Sequence, residues 1–264
     1  MQLSLLALLT LAAPSLALPS DALPSAVYHA PPAARPGAGR TSLPLLKGRP
    51  LDLKELEITT STLPAGQASR AQPGGSEELL IVQAGQLAAT VHDSTTALGP
   101  GGVLLTMAGE QPVLRTTGAA PVQYWVLKFK AVDAPDAARG QAAGGPFGRD
   151  WPALQLIKTD KGETRPVFDR PSSMFPRFDV HATVLNPGRA SHPPHTHRTE
   201  EIILMTQGRG QIQIGDQSYP AAAGDAILLR ANVPHAFTNN SPAPVGYFAM
   251  QWHTKAEQSE PAAK

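Results

Sequence analysis

Four residues in the C-terminal half of this chain have the types and spacing of a metal site: His195, His197, Glu201 and His235. His195 and His197 stand at i and i+2, so in an extended segment both imidazoles face the same side. Glu201 follows after one short turn and leads into an apolar run, and His235 arrives after Gly224-Asp225 and Pro234. Two imidazoles and a carboxylate on adjacent strands, completed by a distant imidazole, form a facial ligand set that leaves coordination positions open. These donors suit one divalent transition metal (Mn, Fe, Ni, Co or Zn), and the ligand types alone do not choose among them. Such an ion acts as a Lewis acid on a carboxylate or enolate, binds dioxygen or activates water. Phe237 shares a strand face with His235, as Ile203 and Met205 share one with Glu201, so these three are candidate pocket walls or ordinary core. His192, before Pro193-Pro194, is expected at the rim of the site rather than as a ligand, and His181 on a core or surface strand, with a place lining the cavity as the alternative. His29, His92 and His253 fall outside the pattern. No second acid or base near the four has a definable role.

The elements that must hold these residues are short strands. Residues 178–185, 202–205, 211–214, 226–229 and 246–252 read as strands separated by turn signals, and this spacing argues for an antiparallel sandwich or barrel. The same plan occurs earlier, in residues 56–63, 78–82, 103–105 and 124–127. Residues 63–69 align with 185–191 at an offset of 122, and 77–129 with 200–252 at an offset of 123. Gly66/Gly188, Glu77-Glu78/Glu200-Glu201, Gly85/Gly208, Gly101/Gly224 and Pro121/Pro244 are among the matched pairs. Shared glycines and prolines fix turns, so the chain carries two copies of one folded unit. In the first copy, Pro73, Gly75, Glu78 and Pro112 stand where the second has its four polar residues. Glu78 alone cannot hold a metal, so one site is expected in two units.

Composition bounds the rest. The 264 residues suffice for two domains, each with its own core. Gly 23 and Pro 27 suit short strands joined by many turns. A net charge of +1 with no basic run gives no support for a nucleic-acid partner. The absence of cysteine excludes disulfides, thiolate ligands and a cysteine nucleophile. Residues 1–17 read as a signal peptide with cleavage after Ala17, although no Lys or Arg precedes the apolar run. The expected location is therefore secreted or periplasmic. That apolar run is too short for a membrane span, and no other segment approaches one. The expected domains are an extended arm at 18–50, with residues 42–46 as an edge strand, a first domain at 51–131, a linker at 132–150, a second domain at 151–255 and a polar tail at 256–264.

The run Gly188…His195-x-His197-x3-Glu201-x6-Gly208, followed by Gly224-Asp225…Pro234-His235…Asn239, resembles the two sequence motifs of the cupin superfamily. The resemblance spans about 50 residues of the second repeat. It departs from the usual pattern in one respect: the gap from Gly188 to His195 is one residue longer. It implies an all-β fold of two tandem cupin barrels of jelly-roll type, a bicupin. The metal would lie inside the second barrel on His195, His197, Glu201 and His235. It further implies a small-molecule substrate and an enzyme of dioxygenase or isomerase type acting on an oxygen-rich organic molecule. The apolar pocket candidates favour an aromatic or enolic compound over a bare sugar. Exported bicupin oxalate decarboxylases usually carry two intact sites, which weighs against that reaction. Bicupin ureidoglycine aminohydrolases rely on one site of different ligand types. The alternative is a non-catalytic cupin that binds a small sugar or carboxylate; a homo-oligomer is compatible with either.

Overall fold

The computed structural model describes residues 22–32 and 39–259. The expected signal peptide lies outside them. The expectation of an all-β, two-barrel fold is met. The first unit contains β2 (Thr41–Gly48), β3 (Leu53–Leu63), β4 (Ala68–Arg70), β5 (Glu77–Ala84), β6 (Leu87–Val91), β7 (Ser94–Leu98), β8 (Val103–Thr106), β9 (Val113–Thr116) and β10 (Val122–Ala131), after β1 (Ala26–Tyr28) in the arm. A short helix α1 (Ala137–Ala142) and β11 (Phe147–Arg149) follow. The second unit contains β12 (Ile157–Thr159), β13 (Gly162–Arg170), β14 (Arg177–Leu185), β15 (Glu200–Gln207), β16 (Arg209–Ile214), β17 (Gln217–Ala222), β18 (Ala226–Leu229), β19 (His235–Thr238) and β20 (Val245–His253). Helix α2 (Lys255–Ser259) closes the described chain.

The two units repeat one topology. The larger sheets run β11-β8-β5-β10-β3-β2 and β1-β18-β15-β20-β14-β13-β12, and the smaller ones β4-β9-β6-β7 and β17-β16-β19. The matched glycines explain why the repeat survives in the sequence. Gly85 (φ 85°) and Gly208 (φ 74°) occupy the left-handed region, where a side chain is strained. A Cβ there would lie 2.5 Å from the Pro121 carbonyl oxygen and 2.7 Å from that of Pro244, respectively.

Each barrel has its own interior. Leu80, Leu104, Leu114 and Val126 fill the first, and Ile203, Met205, Ile212 and Phe237 the second. The opposite faces of the two larger sheets share a third core. There Leu56, Ile58, Leu79, Leu127 and Phe129 pack with Phe178, Ile202, Leu204, Met250 and Trp252. Phe129 meets Phe178 edge-on with 5.1 Å between centroids. Residues 200–205 of β15 are therefore buried without alternation, because the sheet has a core on both faces.

The connecting segments do more than connect. In the arm, β1 pairs with β18 of the second unit, and β2 is the edge strand expected at 42–46, running from Thr41 to Gly48 against β3. In the expected linker, β11 pairs with β8 of the first unit. Each unit's leading strand thus adds to the other unit's edge. The polar tail also differs from expectation, since α2 docks through Glu257, which accepts a hydrogen bond from Thr199 Oγ1.

Candidate metal centre

The ligand-bearing loop begins at the Asn186-Pro187-Gly188 turn. Gly188 N donates to the Asn239 carbonyl at 2.8 Å, and the buried Asn239 amide donates to the carbonyls of Leu185 and Ala243. His195 and His235 are joined across the barrel by reciprocal backbone hydrogen bonds of 3.2 and 3.0 Å. Asn232 N donates to the His197 carbonyl at 2.8 Å. In β15, Glu201 pairs in register with Leu229 on one side and Gln251 on the other.

This scaffold brings the four sequence-selected residues together. The ligating atoms of His195, His197 and His235 lie within 4.8 Å of one another, so the three could hold a metal ion. Glu201 Oε2 is 3.3 Å from His197 Nε2 and 3.9 Å from His235 Nε2. Nδ1 of His235 lies 2.8 Å from the Val233 carbonyl, and Nδ1 of His197 lies 2.6 Å from that of Thr199. A carbonyl only accepts, so each Nδ1 carries the proton and each Nε2 is left as a lone pair facing inward. Nε2 of His235 is buried and makes no hydrogen bond among the described residues. A buried, unpartnered imidazole nitrogen beside a carboxylate fits a cation ligand set better than a core histidine.

The electrostatics agree. Burial alone would push the Glu201 carboxyl up, but His197, the Gln251 amide and His235 hold it below the ordinary carboxylate range. Gln251 Nε2 donates to Glu201 Oε2 at 2.9 Å. Burial lowers His235, which keeps it neutral, as a ligand must be. His197 is raised by its contact with Glu201, so a proton and a cation compete for the same place.

His195, Glu201 and His235 open onto a cavity of about 390 Å³, and His197 is not among its lining residues. Ile203 and Phe237 line it as the strand spacing suggested; Met205 is buried in the barrel core and is not among the lining residues. His192 stands at the mouth with its ring 3.9 Å from that of His195. Lys161, Glu163, Thr164, His181, Thr183, Ser191 and Tyr247 complete a wall more polar than the sequence reading allowed. His181 lies on β14 and takes the alternative weighed for it, reaching this wall with Asp179 Oδ1 3.4 Å from its Nδ1. Lys161, on the turn before β13, donates to the Ser191 carbonyl at 2.7 Å, and nothing in its sequence context marked it.

The first unit also braces the loop, which sequence reasoning did not anticipate. Arg198, between two site residues, pairs with Asp52 at 2.8 Å. Glu200 accepts the backbone amides of Leu51 and Asp52 at 2.8 and 3.2 Å. Its repeat partner Glu77 does the reverse, accepting from Ser173 N at 2.9 Å and Ser173 Oγ at 2.6 Å. In the first barrel, Ala71 rather than Pro73 faces Pro112, its amide donating to the Pro112 carbonyl as His195 does to His235. The second barrel's loop is longer at this point, which displaces the simple sequence alignment.

Residues 182–250 match the Cupin domain family. The (S)-ureidoglycine aminohydrolase of Arabidopsis thaliana is 31% identical over 64 residues, which is 24% of this chain and 22% of that protein. The match therefore spans under a quarter of that relative's length. Among solved structures, AerE from Microcystis aeruginosa is similar at a TM-score of 0.60 and 14% identity, over 81% of this chain and 97% of that one. A variant of Bacillus subtilis oxalate decarboxylase OxdC is similar at a TM-score of 0.62 and 12% identity, over 77% and 70%. Fold and motif together define a double-barrelled cupin architecture. Residues 182–250 carry the match to the Cupin domain family, and the chain as a whole shares its fold with these solved structures.

Proposed function

We propose that the chain is a metal-dependent bicupin enzyme acting on a small oxygen-rich organic molecule in the second barrel. The observation that carries this reading is the convergence of His195, His197, Glu201 and His235, with the His235 Nε2 lone pair buried and unpartnered. These four would hold one divalent transition metal. When bound, the metal supplies Lewis acidity toward a carboxylate, enolate or water, or a site for dioxygen.

The chain's own residues orient the substrate. Phe237 and Ile203 offer apolar surface to its carbon skeleton, while Thr164, Thr183 and Ser191 offer hydroxyls to its oxygens. Lys161 offers the wall an ammonium, beside the carboxylates of Asp160 and Glu163. His181 is the side chain on the wall suited to carry a proton, and Asp179 is placed to set its tautomer. The likeness to (S)-ureidoglycine aminohydrolase supports a carboxylate-bearing substrate, and those to oxalate decarboxylase and AerE support the fold. Dioxygenase and isomerase chemistry are the favoured classes. The apolar N-terminal run supports export, to the periplasm or beyond.

The test is elemental analysis of the full chain purified without a polyhistidine tag. It is followed by assays of oxygen uptake, carbon dioxide release, ammonia release and isomerisation on small enolic, aromatic and ureido carboxylates. Turnover that tracks metal content supports the enzyme. Saturable binding without turnover of any of these compounds favours the non-catalytic carboxylate- or sugar-binding alternative.

A further inference from the structure

The first barrel has a cavity of its own, about 270 Å³, in the place where the second has its candidate metal centre. Glu78 stands there as Glu201 does in the second barrel, and the residue paired with it across the sheet is Lys128 where the second barrel has Gln251. The Lys128 ammonium lies 3.7 Å from Glu78 Oε1, beyond hydrogen-bond distance, so its donors are not consumed by that pair. Two guanidinium groups complete the lining. Arg70 ends β4 at the position that His192 takes in the second barrel, and Arg40 precedes β2. Both are exposed at the mouth.

The charges do not cancel. Arg40, Arg70 and Lys128 face the cavity against Glu57 and Glu78, and Glu57 shares Lys47, an ammonium outside the lining, with Glu55 at 2.9 and 3.4 Å. Leu80, Leu104, Leu114 and Val126 supply an apolar wall behind the cations. The Tyr124 hydroxyl beneath them is buried and makes no hydrogen bond among the described residues.

We propose that the first barrel binds a small organic carboxylate, its anionic head held by Arg40, Arg70 and Lys128 and its apolar body laid on Leu80, Leu104, Leu114 and Val126. Guanidinium groups match a carboxylate in shape as well as charge. The apolar wall favours an organic acid over inorganic phosphate. In this barrel an ammonium takes the part a metal ion would take in the other. The site is independent of the reading of the second barrel.

The experiment measures benzoate binding by calorimetry on the full-length His197→Ala variant in the presence of chelator. This background removes the second barrel's metal, so failure of the two proposals can be told apart. Benzoate is expected to bind, with benzamide and inorganic phosphate at least about tenfold weaker for want of charge or apolar body. Arg70→Ala, at an exposed position where folding is not at stake, is expected to weaken benzoate at least about tenfold. Lys128→Gln copies the second barrel's own pairing with the glutamate and is expected to do the same. No benzoate binding at millimolar concentration, equal binding of benzamide, or affinity unchanged in both variants overturns the proposal.

Discussion

His197 and Glu201 show how single atoms define the centre. Their side chains are 3.3 Å apart, and removing one leaves the other facing histidines that cannot replace it. His197→Ala is therefore expected to lower metal content from about one ion per chain to background, whereas Glu78→Ala leaves it unchanged. Elemental analysis reads both, and two tightly held ions per chain would contradict a single centre. Gln251 touches the centre through Glu201, at 2.9 Å, and His197 Nε2, at 3.4 Å. Gln251→Leu should keep the fold and the ligands yet weaken the metal by about 10–100-fold in chelator competition, the usual cost of losing an outer-sphere partner. Unchanged affinity would show that Glu201 is positioned by its strand alone. The ligands were legible in the sequence because i, i+2 spacing and a charged residue at a strand start are local signals. Lys161 was not, and His181 stayed open between cavity and strand surface, because their place on the cavity wall depends on strands paired across the barrel.

Glu77 and Glu200 join elements that no sequence signal connects. Each opens a strand of one unit and accepts backbone amides from the segment entering the other, Ser173 for Glu77 and Leu51-Asp52 for Glu200. The repeat alignment marked both glutamates, but which amides they satisfy depends on how the two sheets face each other. The strands at 226–229 and 178–185 were readable because continuous apolar runs or β-branched residues end at glycine or proline turns. In contrast, β7 (Ser-Thr-Thr-Ala-Leu) and β11 (Phe-Gly-Arg) form only because a neighbouring strand offers an unpaired edge. The Glu77 clasp has a testable pH signature. Burial pushes its carboxyl above the ordinary range, against the Ser173 and Ser172 hydroxyls and the backbone amides, and Oε1 has no partner among the described residues. With the folded pKa above the unfolded one, the native state holds the extra proton between them. Stability should then fall as pH rises from the ordinary carboxylate range through the raised value. Glu77→Gln keeps an acceptor for Ser173 and should flatten that slope in urea titrations across about pH 4–8. Glu77→Ala strands the buried Ser173 donors and should cost about 1–3 kcal/mol at every pH. Identical slopes in the wild type and Glu77→Gln would remove Glu77 as the titrating group.

The two barrels are joined as halves of one body. Phe178, Val180, Ile202, Leu204, Met250 and Trp252 of the second unit are buried against Leu56, Ile58, Leu79, Ile81, Leu127 and Phe129 of the first. Separation would expose the whole apolar face of a large sheet, far more than isolated surface hydrophobes. It would also remove β1 from its place beside β18, opening a sheet edge, and would leave Arg198 and Glu200 without Asp52 and the Leu51 amide. The first barrel therefore acts as a wall of the second. A fragment of residues 151–259 is expected to self-associate or precipitate, because nothing else in it can cover that face. Co-expression with residues 22–150 should return a soluble pair that binds metal, since the shared core and the Asp52–Arg198 contact can re-form between two chains. Size-exclusion chromatography with light scattering, followed by elemental analysis of the co-purified pair, checks both outcomes. A monomeric fragment that unfolds cooperatively and holds metal as tightly as the full chain would show that the second barrel is self-sufficient and that the shared core is incidental to the site.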